Sequence, residues 1–464
     1  MDPLLEQFIF SWWIGGPMES ARKTFIRRLP MAKLIRGEPA RIAHRSFSMS
    51  SKEHPRNIYV AMSGGVDSSV AAHLLLNSGH PASKVKPIFV RSWANEEATA
   101  DYPTDSRIKT NCQWRKDWND LVQVCHQLKI GPPQLIDLSK EYWNRVWEPC
   151  LEVWRNGGTP NTDVLCNRYI KFGVLAQRIF QDDPDSLLAT GHYARLEYQP
   201  RLQLMSAVDK RKDQSYYLST TSPDILRRTI FPLGTLTKIE VRDIAQQLGL
   251  VNARKKESVG VCFVEPSIRK GQFNHFLAEH LHESPGDIVN KNGIKLGTHQ
   301  GLWNYTIGQR CRIPSQSTKM FVARKDIQKN KIVVVPSHNH ADLYSTIIHC
   351  QDFHWINPDF NSQVGRKGIA AKIRTGTIDP IPCTLEFLKY AFFHLFIPID
   401  DITTTLGTVV WSSPEGSDIR VELDNEHGVA SGQILVLHRE EEVLGGGVIR
   451  LAFRDKCHEE ESTL

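Results

Sequence analysis

Between Asn57 and about Ser222, short apolar runs alternate with longer helical patterns: Ile58–Met62, Val85–Val90, Leu135–Leu138 and Leu187–Thr190 are the runs. Brief apolar stretches separated by helix-length spacers predict a parallel sheet flanked by helices. After Met62 the period changes, because Val66, Val70 and Leu74 recur every fourth residue and Gly79 supplies a stop. That pattern predicts an amphipathic helix opening directly after the first strand. From 223 to about 283 the texture is helical, clearest over Ile239–Leu248 and Gln272–Leu281, which predicts a small central domain. Beyond Ser284-Pro285-Gly286 come β-rich runs such as Lys331–Pro336, Ile369–Ile373, Thr408–Trp411 and Gln433–Leu437. They predict a β-barrel or compact sheet domain over 284–464.

A length of 464 residues exceeds one ordinary core and agrees with several domains. Hydrophobic residues at 41% and charged residues at 23% fit a soluble protein, and no run approaches the roughly 20 apolar residues of a membrane helix. The formal charge of +6 suggests nucleic acid until it is located along the chain. Eight Lys and Arg stand against Glu19 and Glu38 between Met18 and Ser50, whereas from Ser51 onward the charges nearly balance. Any RNA site must therefore be a local patch. Residues 1–50 are expected to lie outside the folded part. The Arg-, Ser- and Ala-rich stretch from 18 resembles a mitochondrial transit peptide, with Met18 as a candidate start, and a solvated basic tail is the other reading. Nine cysteines with no Cys-x-x-Cys disfavour both a disulfide framework and a zinc knuckle, and no metal site is expected.

The chemistry is carried first by Ser63-Gly64-Gly65-Val66-Asp67-Ser68-Ser69, placed between the first apolar run and the helical pattern. Two glycines free the backbone, so that successive N–H groups can converge on an anion at a helix N-terminus, and Ser63, Ser68 and Ser69 add hydroxyls. Neither the Gly-x-x-x-x-Gly-Lys-Ser/Thr loop nor the Gly-x-Gly-x-x-Gly fingerprint is present in this stretch. The heptapeptide resembles the pyrophosphate loop (PP-loop) of the ATP pyrophosphatase superfamily, whose members adenylate a substrate oxygen. The resemblance implies an adenine-nucleotide α-hydrolase-like fold for 51–222.

Further strings narrow the resemblance. They are Asn161-Thr162-Asp163-Val164-Leu165-Cys166, Thr190-Gly191-His192-Tyr193, Lys212-Asp213-Gln214-Ser215, Gly260-Val261-Cys262-Phe263, Tyr305-Thr306-Ile307-Gly308-Gln309 and Leu444-Gly445-Gly446-Gly447. In this order, over about 57–450, the chain resembles the tRNA-specific 2-thiouridylases of mitochondrial type. The resemblance implies that ATP, with Mg2+, is held by Ala61, Met62, Ser63, Gly64, Gly65, Val66, Asp67, Ser68, Val90 and Gly191. It makes Cys262 a persulfide carrier and Cys166 its partner, supplied with sulfur by a cysteine desulfurase relay. Arg168, Lys171, Lys255 and Lys256 are candidates for lowering the thiol pKa, by proximity in sequence. Asp163, three residues before Cys166, is a general acid or base, a helix cap, or both.

The partner implied is tRNA of the Lys, Glu or Gln type, contacted by Asn161, Thr162, Asp163, His192, Lys212, Asp213, Gln214, Arg374 and Gln433. A structural histidine remains open for His192, and an ordinary turn for 212–214. The chain departs from the family pattern at Thr162, Glu257, Ser431 and Arg374-Thr375-Gly376-Thr377, which thins an RNA contact. Two other readings are another PP-loop adenylating ligase or amidotransferase, which needs no paired cysteines, and a tRNA-binding protein without catalysis.

Overall fold

The computed structural model describes residues 55–93, 113–256, 270–314, 316–357, 368–375, 379–387, 391–394, 408–411 and 418–454. The basic region 1–50 and Cys262 lie outside the described residues.

Buried Ile58 and Val60 alternate with half-buried Tyr59 and Ala61 to form β1 (Ile58–Ala61). There follow α1 (Val66–Asn77), β2 (Val85–Arg91), α2 (Gln113–Leu128) and β3 (Gln134–Asp137). Helical segments between 139 and 182 lead to β4 (Leu187–Thr190), the hairpin β5 (Ala194–Glu197) and β6 (Gln203–Ser206), and the short β7 (Thr229–Ile230). The parallel order is β3-β2-β1-β4-β7. The chain steps outward from β1 to β3, then crosses to the other side of β1 for β4, so the direction of winding reverses between β1 and β4. Open α/β sheets place their ligand crevice outside the carboxyl ends of the strands at such a reversal. β7 extends this sheet past the boundary anticipated at residue 222.

The helix after β1 is present, but it is not amphipathic. Ala72 and Leu75 pack against Ile58, Val60 and Phe89, while Val66, Val70 and Ala71 pack against Val241, Ala245 and Leu250. The helix Lys238–Gln247 covers the face that would otherwise meet water, which explains why α1 uses small Ser68, Ser69, Ala71 and Ala72. Gly79 ends α1 as anticipated: at φ +92° its N–H donates to the Leu76 carbonyl and that of His80 to the Leu75 carbonyl, a Schellman closure. The covering helix is started by a reciprocal cap between Thr237 and Glu240.

Among the described residues after 284 there are two larger β units rather than one, and a two-stranded ribbon of Ala391–His394 with Thr408–Trp411. Gly286–Asn290, Lys295–His299, Arg310–Cys311, Met320–Asp326 and Lys331–Val335 make a five-stranded sheet. A six-stranded barrel follows, closed because the long strand Tyr344–Trp355 pairs with both Ile419–His427 and Glu442–Phe453. The β5–β6 hairpin adds to the barrel edge through Met205 and Glu442, so the nucleotide domain and the barrel share one sheet. Gly445, Gly446 and Gly447 serve close packing: added Cβ atoms would lie 2.2 Å from the His354 carbonyl, 2.5 Å from Ser219 Oγ and 2.8 Å from the Phe353 ring.

Candidate nucleotide and thiol site

Ala61 ends β1 opposite Thr190, the last residue of β4, so residues 62–65 and 191 leave the sheet together at the winding reversal. The buried Met62 donates its N–H to the Ile88 carbonyl at 2.8 Å, bringing the loop beside the end of β2, where half-buried Val90 lies. The chain then folds back on the first turn of α1. Ser63 N–H donates to Ser68 Oγ at 3.2 Å, and the hydroxyls of Ser68 and Ser69 donate to the Gly65 carbonyl at 3.2 and 2.9 Å. Gly65 is the N-cap of α1 and offers no side chain to the first-turn N–H groups, which leaves them for an anion.

The two glycines are not equivalent. Gly64 has φ +70°, and a Cβ there would lie 2.2 Å from the Asp117 carbonyl of α2. Gly65 has φ −86° and ψ 165°, which any residue adopts, so only space and not conformation distinguishes it. The expectation that both need glycine's conformational freedom is thereby corrected. Gly191 is a close-approach glycine, since its Cβ would lie 2.7 Å from Ser68 N.

Asp67, expected toward the nucleotide, is occupied within the protein. Its carboxylate accepts from Lys238 Nζ at 2.7 and 2.8 Å and from Tyr193 OH at 2.9 Å, tying α1 to its covering helix. Neither Lys238 nor Tyr193 was anticipated as a site residue. Lys238 lies 171 positions away along the chain, and only the fold pairs them.

On the thiol side, Asn161 accepts from Val164 N–H at 3.1 Å and caps the helix Thr162–Leu165, of which half-buried Thr162 is the first residue. The cap is therefore Asn161 and not Asp163. The helix passes at Cys166 into the π-wound Cys166–Leu175, a winding that recurs at functional sites. The Cys166 side chain is buried among the core of this domain. Burial raises the Asp163 pKa, and Lys171 opposes this only in part. Burial and then Lys171 hold the His192 pKa well below the ordinary imidazole value. Arg168 lies over the Tyr169 ring.

A carboxyl with a raised pKa is a base only once it has lost its proton. We therefore expect the acidic limb of a kcat/KM profile to lie above the ordinary carboxylate range and to vanish in Asp163→Asn, with a loss of about 10²–10⁴-fold. Linkage has the same sign: the ionised carboxylate is the costlier folded form, so this contribution is favourable at low pH and is lost as pH rises through the folded pKa. An unchanged limb in Asp163→Asn would remove Asp163 from the chemistry. Among the other described thiols, burial pushes Cys125, Cys150 and Cys383 up to about 12 and Cys311 to about 11.

Most residues expected to face RNA are engaged within the protein. His192 is buried between Phe172 and Phe231, with Nδ1 2.7 Å from Thr190 Oγ1. Asp213 accepts from Ala207 N–H and Ser215 Oγ, both at 2.9 Å, and Gln214 Oε1 accepts from Tyr193 N–H at 3.0 Å. Lys212 stays half-buried on the same turn. Arg374 is held by Glu426 and the His427 carbonyl. Gln433 donates to the Thr159 carbonyl at 2.7 Å, so the barrel grips the loop entering the Cys166 helix. Among the described residues no His, Cys, Asp and Glu cluster could hold a metal, and no helix is long and apolar enough to cross a membrane.

A parallel sheet with an anion cradle at its winding reversal, joined to a helix that carries a carboxyl and a buried thiol, defines a nucleotide-binding enzyme of the PP-loop class. Family models agree: a tRNA methyl transferase HUP domain matches residues 56–266, a tRNA methyl transferase PRC-barrel domain 274–336, and an aminomethyltransferase β-barrel domain 406–449. The chain is 34% identical to a tRNA-specific 2-thiouridylase MnmA from Blochmanniella floridana, covering 85% of this chain and 96% of that one. The Buchnera aphidicola enzyme of the same description is 36% identical over 85% and 97%, and one from Staphylococcus aureus is 38% identical over 68% and 80%. The chain belongs to the tRNA-specific 2-thiouridylase family.

Proposed function

We propose that this protein is a tRNA-uridine 2-sulfurtransferase that converts C2=O of the wobble uridine to C2=S in mitochondrial tRNAs. The observation that carries the reading is the cradle of 63–69 at the β1–β4 reversal, with the Asp163–Cys166 helix in the same domain. The matched domain descriptions mention methyl transfer, but a phosphate cradle and a thiol suit an adenylated oxygen and a sulfur nucleophile.

In this reading the uridine O2 attacks the α-phosphorus of ATP and pyrophosphate leaves. First-turn N–H groups of α1 and the Ser63 hydroxyl bind the phosphates, the Ser68 hydroxyl joining them only by turning from the Gly65 carbonyl, and Mg2+ would accompany them. The terminal sulfur of a persulfide on Cys262 attacks C2 and AMP departs. The Cys166 thiolate then attacks the Cys262 sulfur, the S–S bond to the transferred sulfur breaks, and 2-thiouridine is released. A Cys166–Cys262 disulfide remains for an external thiol to reduce. Asp163 takes and returns protons at the thiol and the leaving oxygen. The sulfur source is a desulfurase relay, the tRNAs are of the Lys, Glu and Gln type, and residues 18–50 direct the chain to mitochondria.

Mass spectrometry of mitochondrial tRNA nucleosides should show wobble 2-thiouridine lost in cells lacking the protein. Its persistence would sink the proposal. Retained turnover in Cys262→Ser would favour the adenylating-ligase reading, which needs no persulfide.

A further inference from the structure

The Gly64 carbonyl, at the left-handed corner of the cradle, accepts two hydrogen bonds from one distant turn. Asn252 Nδ2 donates at 3.0 Å and Lys255 Nζ at 3.1 Å, which fills both lone pairs. Asn252 is buried and also donates to Ser69 Oγ at 2.9 Å. The remaining two protons of the Lys255 ammonium go to Asp117 Oδ1 at 2.7 Å and Asp120 Oδ2 at 2.6 Å on α2. With three acceptors for three protons, the ammonium is spent inside the protein and is not available to a phosphate unless one of these bonds breaks.

We infer that Asn252 and Lys255 are positioning residues that set the phosphate cradle by gripping the Gly64 carbonyl. The inference rests on the nucleotide reading of the loop. A trans peptide is planar, with its C=O and N–H antiparallel, so pinning the Gly64 carbonyl onto the 252–255 turn aims the Gly65 N–H to the opposite side. Gly64 by itself tolerates several backbone conformations, and an unpinned peptide can flip and point its carbonyl at the anion instead. Lys255 also balances two carboxylates packed under an anion site. Burial works against its charge, but the two aspartates outweigh burial and hold its pKa above that of an ordinary lysine.

The test is calorimetric titration of the full chain with ATP and magnesium, with tRNA affinity and melting temperature as controls. Lys255→Met and Asn252→Leu should each weaken ATP by about tenfold or more, the scale of a hydrogen bond lost from a buried site, with tRNA affinity unchanged. Lys255→Arg keeps the charge but not the compact three-donor head, so its affinity should fall between those of wild type and Lys255→Met. In Lys255→Met combined with Asp117→Asn and Asp120→Asn the excess charge is relieved but the grip is still missing, so binding should remain about tenfold weak. ATP affinity within twofold of wild type in both single variants, or full recovery in the triple variant, would overturn the inference. A wild-type protein that binds no ATP would instead remove the nucleotide reading itself. Should Lys255→Met fail to fold, Asn252→Leu, which removes the other donor to the Gly64 carbonyl, decides.

Discussion

Labelled sulfur should accumulate on Cys262 in the Cys166→Ala variant, and the rate of 2-thiouridine formation should fall by on the order of 10³-fold or more. The expected loss is large because in the proposed mechanism the two thiols act in series on one sulfur, so that without Cys166 the carrier could be charged but nothing would cleave its S–S bond. In Cys262→Ala no catalytically useful sulfur should be accepted. Both variants should bind ATP and tRNA as the wild type does, since neither side chain is assigned a binding role. Cys166 is buried beside the Thr162–Leu165 helix that Asn161 caps. Peptide mapping that placed the label on Cys166 in wild type, together with a fully active Cys262→Ala, would exchange the roles and leave the ligase reading standing.

Gly64→Val should abolish ATP binding, with an affinity loss of at least about 100-fold. A left-handed conformation costs a non-glycine residue roughly 1–2 kcal/mol, and the added Cβ would lie 2.2 Å from a backbone carbonyl of α2, which cannot rotate away. Gly65→Ala should be milder. Its backbone is extended and its Cβ would meet only the Ser63 hydroxyl at 3.2 Å, a group that can turn aside. Equal ATP affinities for the two variants would show that left-handed backbone at Gly64 is not what forms the cradle.

The cradle and the sheet were legible because their signals are local. Apolar runs of strand length, a glycine-serine loop and a helical period occupy adjacent positions, and local propensity agreed with the fold at β1, β2, β4 and the helix Lys238–Gln247. The two-sided burial of α1 was not legible, because periodicity reports which residues are apolar and not what covers the opposite face. The C-terminal barrel was expected and is present, but the pairing that closes it was not legible for a similar reason: closure depends on Tyr344–Trp355 pairing with strands about 75 and 100 residues downstream, and register between distant strands leaves no local trace.

The same division runs through the site. Ser63–Ser69 could be named from residue types and placement, whereas Asp163 and Cys166 were singled out only through the resemblance of the string that holds them. The roles of Asp67, His192, Asp213 and Gln433 could not, because an isolated polar residue reads alike whether it meets substrate or protein. Packing turned Asp67 toward Lys238, His192 toward Thr190 and Gln433 toward Thr159. The amino-acid sequence alone determined that this chain has a PP-loop and an α/β domain followed by β structure. Only the tertiary structure decided which polar groups remain for ligands. Buried donors and acceptors must find partners, and the nearest ones come from 171 positions away for Asp67 and 188 for the Gly64 carbonyl.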